Sequence, residues 1–396
     1  MPSELPLLRE RAVRPGERWI YSAGFNVRPD LRSTGRIDTE LADLEYLLAA
    51  GGRVAVLSHQ GDRAAGTVIG LEFVADYLSA KLGRPIAYFP ENDTAAAERC
   101  ARDLAPGTGA VFGNTRMHAG EQRNDPALAA CFAQLGHAVA VGGFSKAHRA
   151  HASNVGVLAH RPGFLTESVL GEISLLRPWA GRDERLSVVV LGGVKREKTR
   201  VGLDLLGEAY DVIVPGGAVL NQLLQAAGHR VGSSELGDDP AACLETAAKV
   251  LARYGPDKLH LPDRVVIART EADGPGGRDG ARTIAVREGV PDGWRIVDFE
   301  LRPWLTERLA HVGRALIAGT PCRYTDGFRG SADALLRAFA APGVETLLLG
   351  GDTVAELPWP GPTSSGGGSS LHYLAHATLP ILDALRARRR PDPRQD

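Results

Sequence analysis

Along the chain, short continuous apolar runs alternate with longer stretches in which apolar positions recur at helical spacing. Arg53-Val54-Ala55-Val56-Leu57 is one such run, and 67–82 then places apolar side chains on one helix face. Gly109-Ala110-Val111-Phe112 and Ala138-Val139-Ala140-Val141 repeat the strand pattern in the first half. The segments 186–191, 211–214, 264–268, 314–317 and 346–349 repeat it in the second. Runs without polar alternation are buried on both faces, so the pattern predicts an α/β fold of parallel sheets flanked by helices. Most runs end directly in glycines or in polar loops, and ligands of such sheets bind beyond the carboxyl ends of the strands.

At 396 residues the chain outgrows a single core, so two domains are expected. Arg161-Pro162-Gly163-Phe164 breaks regular structure, and 167–176 reads as a helix able to connect two halves. The expected division is 1–165, a linker helix within 166–185, and 186–375, followed by a helix and tail at 376–396. The stretch 271–279, rich in Gly, Asp and Glu, reads as a surface loop.

A net charge of -1 provides no global positive field, which argues against a nucleic-acid binder. Cys100, Cys131, Cys243 and Cys322 are scattered without a CxxC pair, a poor basis for a zinc site or a disulfide framework. Residues 1–19 do not resemble a secretion signal and no apolar run approaches a membrane span. A cytoplasmic protein is expected, with no membrane or nucleic-acid partner.

The polar chemistry differs between the halves. The first carries Arg36, Ser58-His59-Gln60-Gly61-Asp62-Arg63, Asn114-Thr115-Arg116-Met117-His118 and Ala147-His148-Arg149-Ala150-His151. Clustered guanidinium groups suit a small anion, because each grips phosphate or carboxylate through a planar fork. The second half carries Leu191-Gly192-Gly193-Val194-Lys195, Pro215-Gly216-Gly217-Ala218, Leu349-Gly350-Gly351-Asp352-Thr353 and Ser365-Gly366-Gly367-Gly368-Ser369. Glycine turns after strands suit a nucleotide, whose phosphates approach bare backbone N–H groups. Only six of the 46 basic residues are lysines, and two of them, Lys195 and Lys198, follow the Gly192-Gly193 turn. In an arginine-rich chain this hints at a compact point charge. Both chemistries in one chain suggest phosphoryl transfer between two substrates.

Taken in order, these segments resemble the phosphoglycerate kinase family over almost the whole chain. Gly24-Phe25-Asn26-Val27 is similar to its DFNVP element, and Gly35-Arg36-Ile37 to its next arginine. Leu57-Ser58-His59-Gln60-Gly61-Asp62-Arg63 is similar to SHLGRP, and Asn114-Thr115-Arg116-Met117-His118-Ala119-Gly120-Glu121 to ENxRFHxxE. Phe144-Ser145-Lys146-Ala147-His148-Arg149-Ala150-His151-Ala152-Ser153 nearly repeats FGTAHRAHAS. The Gly192, Pro291-Asp292-Gly293-Trp294, Gly350 and Ser365 segments follow in family order.

The resemblance implies two Rossmann-like lobes joined by a hinge helix, with the C-terminal segment returning to the first lobe. It implies a monomer with ATP/ADP and Mg2+ as cofactors and a small anionic carboxylic acid as the other substrate. Asn26, His59, Arg63, Arg116 and Arg149 would hold the acid. Arg36, Lys195, Gly351 and Gly367 would stabilise the moving phosphoryl group once the lobes close. Gly192, Gly193, Lys198, Gly216, Gly217, Gly350, Asp352, Thr353, Gly366 and Gly368 would bind the nucleotide, Asp352 through the metal. His148, His151 and His118 read as packing groups.

Several positions depart from the family pattern. Its aspartate before Phe-Asn is Gly24 and the arginine two places earlier is Ser22. The Asn-Asp before AHRAHAS is Val141-Gly142, and the lysine expected at Thr199 stands one place early as Lys198. The WNGPxGVFE element has become Ile317-Ala318-Gly319-Thr320-Pro321-Cys322-Arg323-Tyr324. The expectation is therefore a carboxylate kinase forming an acyl phosphate on an acid other than 3-phosphoglycerate, in a specialised pathway. An ordinary glycolytic 3-phosphoglycerate kinase and a non-catalytic nucleotide- or metabolite-binding descendant remain the alternatives.

Overall fold

The computed structural model describes residues 5–270, 280–364 and 367–389, so the loop expected at 271–279 and the glycine at 366 lie outside the described residues. The chain forms two compact units: Met1–Leu175 with Thr378–Asp396, and Leu176–Ala377.

Unit 1 is built on a six-stranded sheet of β1 (Arg18–Ser22), β2 (Arg53–Leu57), β3 (Ile86–Phe89), β4 (Gly109–Phe112), β5 (Ala138–Val141) and β6 (Gly163–Leu165). The order is β3-β4-β2-β1-β5-β6 and every pairing is parallel. The central strand, β1, was not legible as an apolar run, yet Trp19, Ile20 and Tyr21 are fully buried. Helices Leu41–Ala49 and Glu72–Leu82 cover one side of this core through Leu44, Leu47, Leu48, Val74 and Leu78. Local chemistry sets their ends. Gly83 takes the left-handed φ of 61° that closes Glu72–Leu82, and Thr94 caps Ala95–Asp103 by accepting from Ala97 N at 3.1 Å. The expected helix over 67–82 is thus confined to Glu72–Leu82.

The chain enters this sheet at its middle and builds outward in both directions. Between β1 and β5 the strand order reverses, and the loops after β1, β2, β4 and β5 open at that point.

Unit 2 repeats the plan with β7 (Ser187–Leu191), β8 (Val212–Pro215), β12 (Arg314–Ala318), β13 (Glu345–Leu349) and β14 (Thr363–Ser364). These strands run parallel in the order β14-β13-β12-β7-β8. The reversal falls between β7 and β12. A separate three-stranded sheet, β10-β9-β11, comprises β9 (Arg264–Arg269), β10 (Arg282–Ala285) and β11 (Trp294–Phe299). It corrects the expectation for 264–268: β9 is antiparallel to both neighbours. Its apolar face joins the core of the parallel sheet through Val265, Ile267, Ile284 and Phe299.

Candidate functional site

In unit 1 the predicted acid-binding residues fall on the loops at the carboxyl edge and meet one another. Asn26, on the loop after β1, accepts from Gly61 N at 3.2 Å through Oδ1 and from Arg36 Nη1 at 2.9 Å through its carbonyl. Arg116 follows β4 and donates from Nη1 to the Gly61 carbonyl. Arg63 donates from Nη1 to the Met117 carbonyl. Arg149 is half-buried, with Nε 3.2 Å from His148 Nε2.

These groups feel one another electrostatically. Crowding by protein atoms around the Arg36 guanidinium, and then the Arg149 charge, pull its pKa down. Burial and then Arg149 do the same to Arg116, partly offset by Asp62 and Glu121. His59 is buried and held neutral, first by desolvation and then by Arg116, Lys146 and Arg149. Cations brought this close repel unless an anion lies among them. Arg116 is 6% exposed and its Nε is buried with no hydrogen-bond partner among the described residues. An orphaned guanidinium donor inside a cationic cluster is a feature that an oxyanion would satisfy.

The histidines serve the packing. His118 Nε2 lies 2.6 Å from Asn92 Oδ1, and His151 Nδ1 lies 3.7 Å from Glu121 Oε1. Burial and the surrounding cations lower the His151 pKa to about 3.

Close backbone contact explains Gly24. A Cβ there would lie 2.7 Å from Ser145 Oγ and 2.8 Å from Gly143 Cα, so an aspartate at this position has no room. The Gly24 and Gly143 N–H groups both donate to Glu40, at 3.2 and 3.0 Å. Sequence reading gave no role to Glu40 or Lys146. A buried acid in the turn between two helices carries no signal of its own until the loops that cover it are placed.

In unit 2, Lys195 Nζ lies 2.7 Å from Asp352 Oδ2, joining the loop after β7 to the start of the helix Gly351–Glu356. Lys198 opens a nine-residue π-helical segment, Lys198–Leu206. It is buried, and desolvation followed by Lys195 lowers its pKa to about 8. A Cβ on Gly350 would stand 3.8 Å from Lys198 Nζ, so the amine lies against that turn. The displaced lysine thus reaches the same corner as Lys195 and Asp352. Thr199 turns inward and donates to Gln222 Oε1 at 2.6 Å. Thr353 is buried at the same helix start, while Gly367 and Gly368 open the helix Gly367–His376.

The glycine turns were expected to offer bare N–H groups, but four are already used. Gly192 N donates to Ala318 O at 3.3 Å, Gly216 N to Leu191 O at 2.8 Å and Gly217 N to Pro321 O at 2.9 Å. Gly350 N likewise donates to Ser364 O at 2.8 Å. Gly192 and Gly216 instead let the loops after β7, β8 and β12 press together. A Cβ on Gly192 would meet Thr320 O at 2.2 Å, and one on Gly216 would meet Pro321 O at 2.3 Å. Gly192→Ala is therefore expected to cost at least about 2 kcal/mol in urea unfolding; a loss under half of that would show that the loops yield.

Beside these turns is a cavity of about 220 Å³ lined by Gly193, Gly217, Asn221, Asp298, Thr320 and Asp326 among others. Asp298 lines it, accepting from Gly330 N at 2.7 Å and from Ser331 Oγ, and burial raises its pKa. Sequence reading had assigned none of Asn221, Asp298 or Asp326. The usable signal was Pro291-Asp292-Gly293-Trp294, a turn that leads directly into β11.

The donor set suits a magnesium nucleotide. Asp352 supplies one exposed carboxylate, and a hard cation already carried by phosphate oxygens needs few protein ligands. Among the described residues no cluster of three or more His, Cys, Asp or Glu forms a separate metal cage. No described helix is long and apolar enough to cross a membrane.

Comparison with known proteins shows the family of the chain. The family model described as phosphoglycerate kinase matches residues 20–376. A phosphoglycerate kinase of Desulforudis audaxviator is 33% identical over 389 residues, covering 93% of this chain and 95% of its own. That of Rubrobacter xylanophilus is 32% identical over 402 residues, covering 96% and 99%. The solved phosphoglycerate kinase of Coxiella burnetii shares the fold with a TM-score of 0.72 at 23% identity, covering 98% of this chain and 100% of that one. That of Pyrococcus horikoshii gives 0.74 at 21%, covering 96% and 98%. The family match and these relatives place the chain in a class of phosphotransferases with a carboxyl group as acceptor. Within that class the chain belongs to the phosphoglycerate kinase family, whose members use ATP or ADP with Mg2+.

Proposed function

We propose that the protein transfers the γ-phosphoryl group of MgATP to the carboxylate of a small acid that carries phosphate or another strong anion. A carboxylate oxygen attacks the γ-phosphorus, the bond to the β-phosphate oxygen breaks, and ADP and an acyl phosphate form. The observation that carries this reading is the buried Arg116, with its orphaned Nε, among His59, Arg149 and Arg36. Phosphoryl transfer asks little covalent chemistry of a protein; it asks for alignment and positive charge around the moving group. Arg116, Arg149 and His59 anchor the acid's distal anion, with Arg63 and Asn26 beside them. Lys195, Lys198 and Asp352 hold the nucleotide phosphates and their metal, with Thr353, Gly351 and the Gly367-Gly368 helix start alongside. When bound, the magnesium neutralises charge on the phosphates.

The acceptor differs from 3-phosphoglycerate. Gly24 stands where the family pattern has an aspartate, and Ser145 and Gly143 fill the space its side chain would need. A second reading, ordinary 3-phosphoglycerate kinase activity, is favoured by the relatives of that name that cover 93% or more of the chain. Incubation with MgATP, hydroxylamine and a panel of phospho- and phosphonocarboxylates distinguishes the readings. Hydroxamate from an acid other than 3-phosphoglycerate, at tenfold or higher kcat/KM, is the expected result. The best turnover with 3-phosphoglycerate would restore the ordinary enzyme, and no hydroxamate from any acid would remove the kinase reading.

A further inference from the structure

Behind the cationic loops of unit 1 lies a buried polar network that the phosphoryl-transfer chemistry does not use. Its centre is Glu40, 4% exposed, two residues past the helical turn Gly35–Asp38 that carries Arg36. One carboxylate oxygen accepts from Gly24 N on the loop of Asn26, and the other from Gly143 N on the loop of Arg149. Lys146, 2% exposed, is the nearest opposite charge, and its Nζ donates to Ser22 Oγ at 2.9 Å. Ser22 Oγ donates in turn to Ser153 O at 2.7 Å, and Ser153 Oγ donates to Glu121 Oε1 at 2.6 Å. Glu121 also accepts from Thr115 Oγ1 at 3.2 Å, beside Arg116.

Glycine makes the arrangement fit. A Cβ at Gly142 would lie 2.4 Å from Glu40 Oε2, and one at Gly143 would lie 2.7 Å from Gly24 N. We propose that Glu40, partnered by Lys146, is the positioning residue of the acid site. It ties the loops of Asn26 and Arg149 to each other and to the turn of Arg36.

An ionised carboxylate accepts from both N–H groups, whereas a protonated one turns an O–H toward one of them and loses that bond. Burial raises the Glu40 pKa to about 7, opposed first by the Tyr21 hydroxyl and then by the two backbone N–H groups and Lys146. The brace is therefore complete above pH 7 and weakens below it. The groups facing Glu40 are Tyr21 from β1, with its hydroxyl beside Gly142, and Lys146, with a pKa that burial lowers to about 8. Asp43 on the following helix and Glu121 behind Lys146 complete the surrounding charges.

This inference rests on the acid site described above, but sulfate allows it to be tested apart from turnover, since sulfate keeps its charge between pH 6 and 8. In the full-length protein, Glu40→Gln should weaken sulfate binding by calorimetry about tenfold at pH 8, the worth of one charged hydrogen bond. The gap between wild type and variant should close toward pH 6, and MgATP binding should stay within twofold. Lys146→Met removes the ammonium and keeps both N–H bonds, so it should move the pH at which sulfate binding strengthens upward by at least half a unit. Equal sulfate affinity of Glu40→Gln and wild type at pH 8 overturns the proposal, as does a gap independent of pH. If Glu40→Gln fails to fold, an unchanged pH profile in Lys146→Met overturns it. Absence of hydroxamate from any acid, with these sulfate results intact, would count against the kinase reading alone.

Discussion

Lys195→Ala is expected to lower kcat by roughly a thousandfold while leaving the KM for the acid within about threefold. Its ammonium is 63% exposed and reaches Asp352 Oδ2 at 2.7 Å from a different loop. An exposed pair of this kind contributes at most about 1 kcal/mol to stability, so the variant should melt with the wild type. The loss then falls on charge stabilisation during transfer. Arg restores charge but spreads it over a plane on a longer fork, and Lys195→Arg should recover less than a tenth of the rate. Steady-state kinetics with both substrates varied decides the matter: kcat within tenfold of wild type would remove Lys195 from the transfer step.

Arg116→Ala should act on the other substrate, raising the KM for the acid about a hundredfold with kcat reduced far less, because a buried, charge-assisted pair is worth ~2–3 kcal/mol. The structural cost is modest, since the guanidinium gives up a bond to the Gly61 carbonyl. His59 supplies an independent readout. Burial and then Arg116 hold its pKa well below the usual imidazole range, so truncating Arg116 should raise it in an NMR titration. An unchanged KM for the acid, with the His59 shift observed, would show that the cluster exists but holds no substrate.

Much of this was legible because apolar strands end abruptly in chemically distinctive loops. Arg116, Arg149, Lys195 and Asp352 all follow strands that could be read directly, and Lys198 was named despite its displaced position. The central strand was missed because Arg18-Trp19-Ile20-Tyr21-Ser22 is bracketed by polar residues and carries two aromatics with polar atoms. Only tertiary packing shows that Trp19 and Tyr21 are fully buried. The 264–268 run was assigned to a parallel sheet because an apolar stretch does not reveal its partners. The antiparallel pairing depends on β10 and β11, which had not been read as strands. Glu40 was invisible for a different reason. Its partners are backbone N–H groups 16 and 103 residues away, and backbone donors leave no mark in a sequence.

The glycine contact between the ends of β1 and β5 constrains how this enzyme can be re-engineered. A Cβ at position 24 or 143 would lie within 3 Å of the facing backbone, so an aspartate at Gly24 requires the loops after β1 and β5 to move apart. Residues 63–67, by contrast, lie exposed on the loop after β2. Directed evolution for new acids should therefore accumulate substitutions in that stretch and leave the glycine floor untouched.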